Sequence, residues 1–203
     1  MYATLSDDEL FRLLRAGDEE AFVALYRRRQ DGIYRFALRM CGSESIAEDV
    51  MQEVFMALMR SDRRSVELRG SFRAYLYGIA RNQALRRLEK DRFLAPISDH
   101  GDERESSTAE SLIAFADPLR DLTRKEMIAT VRQAVMALPL HYREVVALCD
   151  LCELSYDETA ATLGCAVGTV RSRLHRARAL LVEKLRAHRD AEIKQADATN
   201  CLG

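Results

Sequence analysis

The chain has 203 residues, enough for one or two small domains, and its 48% hydrophobic and 31% charged residues mark it as globular rather than disordered. No run of about 18 apolar residues occurs, so no membrane span is expected. The first ten residues, MYATLSDDEL, lack the basic and apolar stretches of a signal peptide, which points to the cytoplasm. With 3 Pro, 9 Gly and no Trp, breakers are scarce, which favours long helices over many short strands.

In chain order, SDDE at Ser6–Glu9 is a capping box, and Leu10, Leu13 and Leu14 follow it. Asp18 caps a long second helix with Phe22, Leu25, Tyr26, Ile33, Phe36, Ala37 and Met40 on one face. CGSES breaks that pattern, and Ser43 opens a third helix through Ile46, Ala47, Val50, Val54 and Leu58. RSDRRSVELRG reads as a loop, and Ser71 opens a fourth helix with Phe72, Leu76, Ile79 and Ala80 facing inward. The stretch from Pro96 to Pro118 is rich in Ser, Asp and Glu and reads as a flexible linker. A second helical block begins near Leu122 and is interrupted at Pro139. Within it, SYDE at Ser155–Glu158 is another capping box, and Thr159, Ala160 and Leu163 face inward. Gly164 suits a left-handed chain reversal. Ala160, Gly164 and Val170 have the spacing of a helix-turn-helix: a small residue, a turn glycine and an apolar anchor. The last residues, DAEIKQADATNCLG, are polar and are expected to fray. The predicted fold is all-α: a first helical domain over 1–95, an acidic linker over 96–121, a second helical domain over 122–187 and a tail over 188–203.

The net charge of −1 hides strong segregation. Residues 69–92 hold seven bases against two acids, and residues 165–189 hold seven bases against one acid. Residues 1–20 and 98–122 are acidic, with six acids against two bases and seven against two. Two basic segments far apart in sequence suggest two contacts with one polyanion. The acidic segments nearly balance them and are expected to mask them, so that the free chain binds DNA poorly.

In GTVRSRLHRAR, the residues Val170, Leu174, Ala177 and Leu181 form one apolar stripe. Arg171, Ser172, His175 and Arg176 lie opposite, where guanidinium arms suit guanine edges and phosphates in the major groove. Arg173 and Arg178 flank that face, where phosphate contact is expected. A solvated helix face usually mixes charge signs, and this one does not.

Residues 125–187, and above all LPLHYREVVALCDLCELSYDETAATLGCAVGTVRSRLHRARALL, resemble region 4 of the extracytoplasmic-function sigma factors of bacterial RNA polymerase. GDEEAFVALYRRRQDGIYRFALRM, AEDVMQEVFMAL and SFRAYLYGIARNQALRRLEK resemble region 2 of the same family. The resemblance implies an alternative sigma factor that binds core RNA polymerase, directs it to promoter DNA and is held inactive by an anti-sigma factor. It implies that Asp49, Gln52 and Glu53 in DVMQEVF dock on the clamp helices of the polymerase. Their i, i+3, i+4 spacing gives one exposed polar face, with Val50, Val54 and Leu58 turned inward. It also implies that the fourth helix melts and reads the minus-10 element. Asn82 would sit near a flipped-out base, and Arg81, Arg86, Arg87 and Lys90 would hold phosphates. Residues 171–178 would read the minus-35 element. His175 stands where the family often carries a bulky apolar residue, and as a donor it can shift base preference. The loop over 60–70, which would rim the base pocket, has no aromatic residue.

The five cysteines, Cys41, Cys149, Cys152, Cys165 and Cys201, are odd in number and irregular in spacing, as free thiols in a reducing compartment would be. CDLC at Cys149–Cys152 has redox or zinc spacing, but a helix packed into the second domain makes these small buried hydrophobes. No catalytic triad, phosphate loop or carboxylate pair is evident, so neither an enzyme, a cofactor nor a metal is expected. A stand-alone helix-turn-helix regulator is the main alternative, and the DVMQEVF face and the second basic segment argue against it. A thiol-based sensor is the other.

Overall fold

The computed structural model describes residues 2–60, 70–94 and 118–200, with side chains described over 2–60, 70–90 and 126–189. Helices α1 (Asp7–Arg15), α2 (Glu19–Cys41), α3 (Glu44–Arg60) and α4 (Phe72–Leu94) form the first half. The second half holds α5 (Pro118–Met136), α6 (Leu140–Val146), α7 (Tyr156–Leu163) and α8 (Val167–Asn200). No strand occurs among the described residues.

Local chemistry sets the helix boundaries. Ser6 and Glu9 close the capping box of α1 reciprocally, with Ser6 N–H donating to the Glu9 carboxylate at 2.7 Å. Asp18 accepts from Ala21 N–H at 3.2 Å to start α2, which ends at Gly42 with φ +75°. Ser43 and Ser71 cap α3 and α4 through the Ile46 and Ala74 amides, at 3.4 and 3.2 Å. These are the caps the sequence predicts. The loop predicted over 60–70 and the linker predicted over 96–121 fall largely outside the described residues. Helix α5 already starts at Pro118, and α8 runs on to Asn200, past the expected end at 187. Between Gly168 and Asn200 no Gly or Pro interrupts α8, so nothing in the backbone ends it earlier.

The first core packs α1 to α4 around Leu10, Phe11, Leu25, Phe36, Leu58 and Phe72, all buried. The Phe11 and Phe72 rings lie 4.8 Å apart, and Tyr77 meets Phe36 edge-on at 5.5 Å. The second core is smaller: Val135, Leu138, Val145, Val146, Leu174 and Ala177.

The two cores do not divide where the sequence divides. Helix α6 passes into a π-helical turn over Ala147–Leu151. Its Ala147 and Leu148, together with Cys152 and Leu154 beyond it, are buried in the first core. The expectation that Cys149 and Cys152 pack together into the second domain is corrected for Cys152. The wider turn adds a residue per repeat and rotates the following side chains. Glu153, with φ +56°, then reverses the chain and leaves Cys152 facing Tyr77 of the first half.

Candidate nucleic-acid interface

The helix-turn-helix is built as its sequence predicts. Ser155 caps α7 in a second capping box, and Glu158 returns its carboxylate to the Ser155 amide at 2.9 Å. Gly164 ends α7 in the left-handed region at φ +63°. Val170, Leu174 and Ala177 are buried and Leu181 is half-buried, which fixes the rotation of α8. Arg171, Ser172, His175 and Arg176 are consequently exposed on the opposite side, and Arg173 is half-buried at the flank.

Two contacts on this face are not evident from the sequence. The Arg171 guanidinium lies 5.7 Å from the centre of the Tyr156 ring, at the first turn of α7. A cation over an aromatic face is held by the ring quadrupole, so Tyr156 orients Arg171. An aromatic at the start of the first helix, facing an arginine-rich second helix, was the available signal. Arg178, the predicted phosphate contact, grips Asp150 of the π-helical turn in a fork, at 2.5 and 3.1 Å. The hydrogen bond to Asp150 and its charge raise the Arg178 pKa further.

The predicted minus-10 residues divide into two groups. Asn82, Arg86 and Lys90 are exposed on α4, and among the described residues no ion pair is seen for Arg86 or Lys90. Arg81 and Arg87 are not free. Arg81 Nε donates to Glu144 Oε1 at 2.7 Å, and the Glu144 side chain is only 6% exposed. Arg87 lies 3.4 Å from Asp49, a predicted docking residue, with the two side chains 35% and 50% exposed. These pairs differ greatly in weight. An exposed pair contributes about 0–1 kcal/mol, whereas removing one partner from a buried pair costs about 3–5 kcal/mol. Arg81–Glu144 is the pair that matters. On α3, Asp49 and Gln52 are exposed and Glu53 is half-buried, opposite buried Val50, Val54 and Leu58.

Arg81–Glu144 is one of several bonds across a seam between the two halves. The Ser71 hydroxyl, already the cap of α4, donates to Glu158 Oε1 at 2.7 Å. Burial pushes the Glu158 carboxyl up, but the hydrogen bonds from Ser71 and Ser155 outweigh it and hold the pKa below its usual value. Arg73 donates to the Cys152 carbonyl, and the Thr162 hydroxyl donates to the Ala74 carbonyl at 3.2 Å. Arg143 reaches the carbonyl of Met40 at 2.9 Å and those of Leu138 and Met136, so one guanidinium serves the C-terminal ends of α2 and α5. Burial lowers the Arg143 pKa.

Two acids of the N-terminal segment are engaged within the first half. Asp7 holds Arg28 at 2.9 Å and also Arg29, and Asp8 accepts from the Phe72 amide at 2.7 Å at the start of α4. The carboxylates that cover predicted DNA-binding arginines are instead Glu144, Asp49 and Asp150. The acidic stretch over 98–122 lies outside the described side chains.

Burial pushes the pKa of both Cys149 and Cys152 up, and Cys149 Sγ lies 3.2 Å from Thr159 Oγ1. Cys201 lies outside the described residues. Among the described residues no group of three or more His, Cys, Asp or Glu side chains is placed to hold a metal, and no helix is long and apolar enough to cross a membrane.

Comparison with known proteins agrees with this geometry. Residues 25–93 match the family described as sigma-70 region 2, and residues 128–181 match sigma-70 region 4. The chain is 35% identical to the ECF RNA polymerase sigma factor SigE of Mycolicibacterium smegmatis, across 85% of this chain and 65% of that one. It is 32% identical to the ECF RNA polymerase sigma factor SigW of Bacillus subtilis, across 85% of this chain and 93% of that one. CnrH, solved in complex with the cytosolic domain of CnrY, superposes with a TM-score of 0.66 at 25% identity, covering 90% of this chain and 99% of that one. RpoE of Bartonella quintana, solved with the anti-sigma factor NepR, superposes at 0.60 and 27% identity, covering 79% and 94%. With both regions matched in order, in an all-α fold, the chain belongs to the extracytoplasmic-function sigma factors, the alternative sigma factors that direct RNA polymerase to promoters.

Proposed function

We propose that this chain docks on core RNA polymerase through the α3 face carrying Asp49, Gln52 and Glu53, and reads promoters with two helices. Helix α8 reads the minus-35 element through Arg171, Ser172, His175 and Arg176, with Arg173 and Arg178 on phosphates. Helix α4 binds the melted minus-10 element, with Asn82 at a base edge and Arg81, Arg86, Arg87 and Lys90 on the backbone. The polymerase supplies the catalysis and the chain itself catalyses nothing. It works in the cytoplasm with polymerase and DNA, under the control of an anti-sigma factor, the kind of partner with which RpoE of Bartonella quintana was crystallised.

The observation that carries this reading is the single-sign face of α8. Four exposed residues, two of them arginines, stand opposite a buried apolar stripe in a helix-turn-helix locked by Gly164. The deciding experiment is run-off transcription from a library of genomic fragments with purified core enzyme. Discrete transcripts that require the chain are expected. A chain that binds duplex DNA but yields no transcript with core enzyme would instead be a stand-alone regulator.

A further inference from the structure

Two arginines are proposed to read base edges from α8, and they are held differently. Arg171 and Arg176 are both exposed. Among the described residues, Arg171 is the arginine that stands over an aromatic ring, its guanidinium carbon 5.7 Å from the centre of Tyr156. That lies inside the roughly 6 Å within which a ring quadrupole holds a cation. Arg176 lies about 140° further round the helix, on the other flank of the exposed face. Both ends of the Arg171–Tyr156 contact are anchored. The capping box of Ser155 and Glu158 pins the turn that begins at Tyr156, and buried Thr159 and Ala160 set the roll of α7. Buried Val170 and Leu174 set the roll of α8 on either side of Arg171. Tyr156 itself is 38% exposed, too open for its ring to be filling the core.

The kind of partner matters. A carboxylate occupies the donors it fixes, as Asp150 does on Arg178. An aromatic ring acts on the guanidinium charge and leaves the donor fork free for the two acceptors of a guanine edge. A free arginine arm loses rotamer freedom when it binds, and an arm already held near its working position loses less.

We infer that Tyr156 is a positioning residue for promoter reading: it holds Arg171 over its ring, so that the base pair met by Arg171 is read more strictly than the one met by Arg176. This inference rests on the assignment of α8 to the minus-35 element. Tyr156 acts through Arg171 and needs no contact of its own with DNA.

The test uses holoenzyme assembled from core polymerase and the full chain, with a randomised duplex DNA library as the probe and sequencing of the bound fraction as the readout. Arg171→Ala and Arg176→Ala first identify the base pair whose preference depends on each arginine. Tyr156→Leu is expected to flatten preference at the Arg171 base pair, leave the Arg176 base pair as it was, and weaken binding about twofold to fivefold, the range of an exposed cation–π contact. Tyr156→Phe, which keeps the ring, should restore both the preference and the affinity. In the Arg171→Ala background, Tyr156→Leu should add nothing, since the two residues act as one unit. Base preference is read on the folded fraction, so a loss of folding does not imitate this pattern. Should Tyr156→Leu keep the wild-type preference at the Arg171 base pair, the positioning role is overturned and the assignment of α8 stands. If Tyr156→Phe is as impaired as Tyr156→Leu, the hydroxyl touches DNA directly and the positioning role is likewise overturned. Wild-type preference at every base pair in Arg171→Ala would remove Arg171 from base reading, and the inference with it.

Discussion

Helices α4 and α8 carry the two basic segments of this chain, and the structure treats them differently. On α8 the proposed reading residues Arg171, Ser172, His175 and Arg176 are exposed, and the flanking Arg178 is paired with a partly exposed neighbour. On α4 Arg81 is tied to a buried carboxylate of the other half. The sequences look alike in charge, so charge density alone does not tell an available cation from a committed one. What separates them is the burial of the partner, because screening by water weakens one pair and spares the other.

Several measurements break or sharpen that contrast. The largest effect is expected at the proposed docking face next to α4. Asp49→Arg with Glu53→Arg should abolish binding to core polymerase while circular dichroism stays helical, since both side chains lie outside the core. Normal core affinity would remove the docking assignment and leave the Arg87–Asp49 pair merely a surface contact.

On α8, Arg171 and Arg176 are about 140° apart and straddle the exposed face. Arg171→Ala or Arg176→Ala should each cost about 1–3 kcal/mol and relax discrimination at particular base pairs. Equal loss on every single-base variant of the promoter would show that α8 only holds the backbone.

Arg178→Ala should act more weakly. It should lower affinity for all sequences alike and reduce the slope of log affinity against log salt by about one. Asp150→Asn should do the opposite and raise affinity by freeing Arg178 from its fork. Titrations at several salt concentrations separate the two. Should Asp150→Asn change nothing, the pair does not compete with DNA.

The thiols offer a smaller effect on the seam itself. Cys152→Ala should cost about 1 kcal/mol of stability, as expected for a small buried side chain, and leave transcription insensitive to peroxide. A wild-type chain inactivated by peroxide, with a resistant Ala variant, would turn the seam into a redox switch.

The smallest effect is expected from acid. The folded-state pKa of Glu158 lies below its ordinary value of 4.5, so its contribution is complete above that value and is lost as pH falls through the folded pKa. Ser71→Ala should lose part of that contribution at neutral pH and so flatten the acid limb, which denaturant unfolding at several pH values would read.

Most of the local structure was legible because its causes are local. Ser6, Asp18, Ser71 and Ser155 announce helix starts through bonds spanning three residues, and Gly164 announces the turn by the backbone angle it permits. The exposed face of α8 followed from the period of Val170, Leu174 and Ala177. The seam was not legible. Arg81 and Glu144 are 63 residues apart, and neither charge carries a mark of its partner. Leu148 and Leu154 fit the second half by sequence position, and only the π-helical turn, which has no sequence signature, sends them to the first core. Tyr156 was missed because an aromatic at a helix start reads equally well as packing.

That turn has a consequence for how the molecule unfolds. Because Ala147, Leu148, Cys152 and Leu154 complete the first core, the unit that melts together is not the unit drawn by the family boundaries. Calorimetry of the free chain should give one endotherm whose van't Hoff and calorimetric enthalpies agree, in place of two. Leu148→Asp should split it, and region 4 should then lose its structure at the lower temperature, since its own core of Val135, Leu138, Val145, Val146, Leu174 and Ala177 is small.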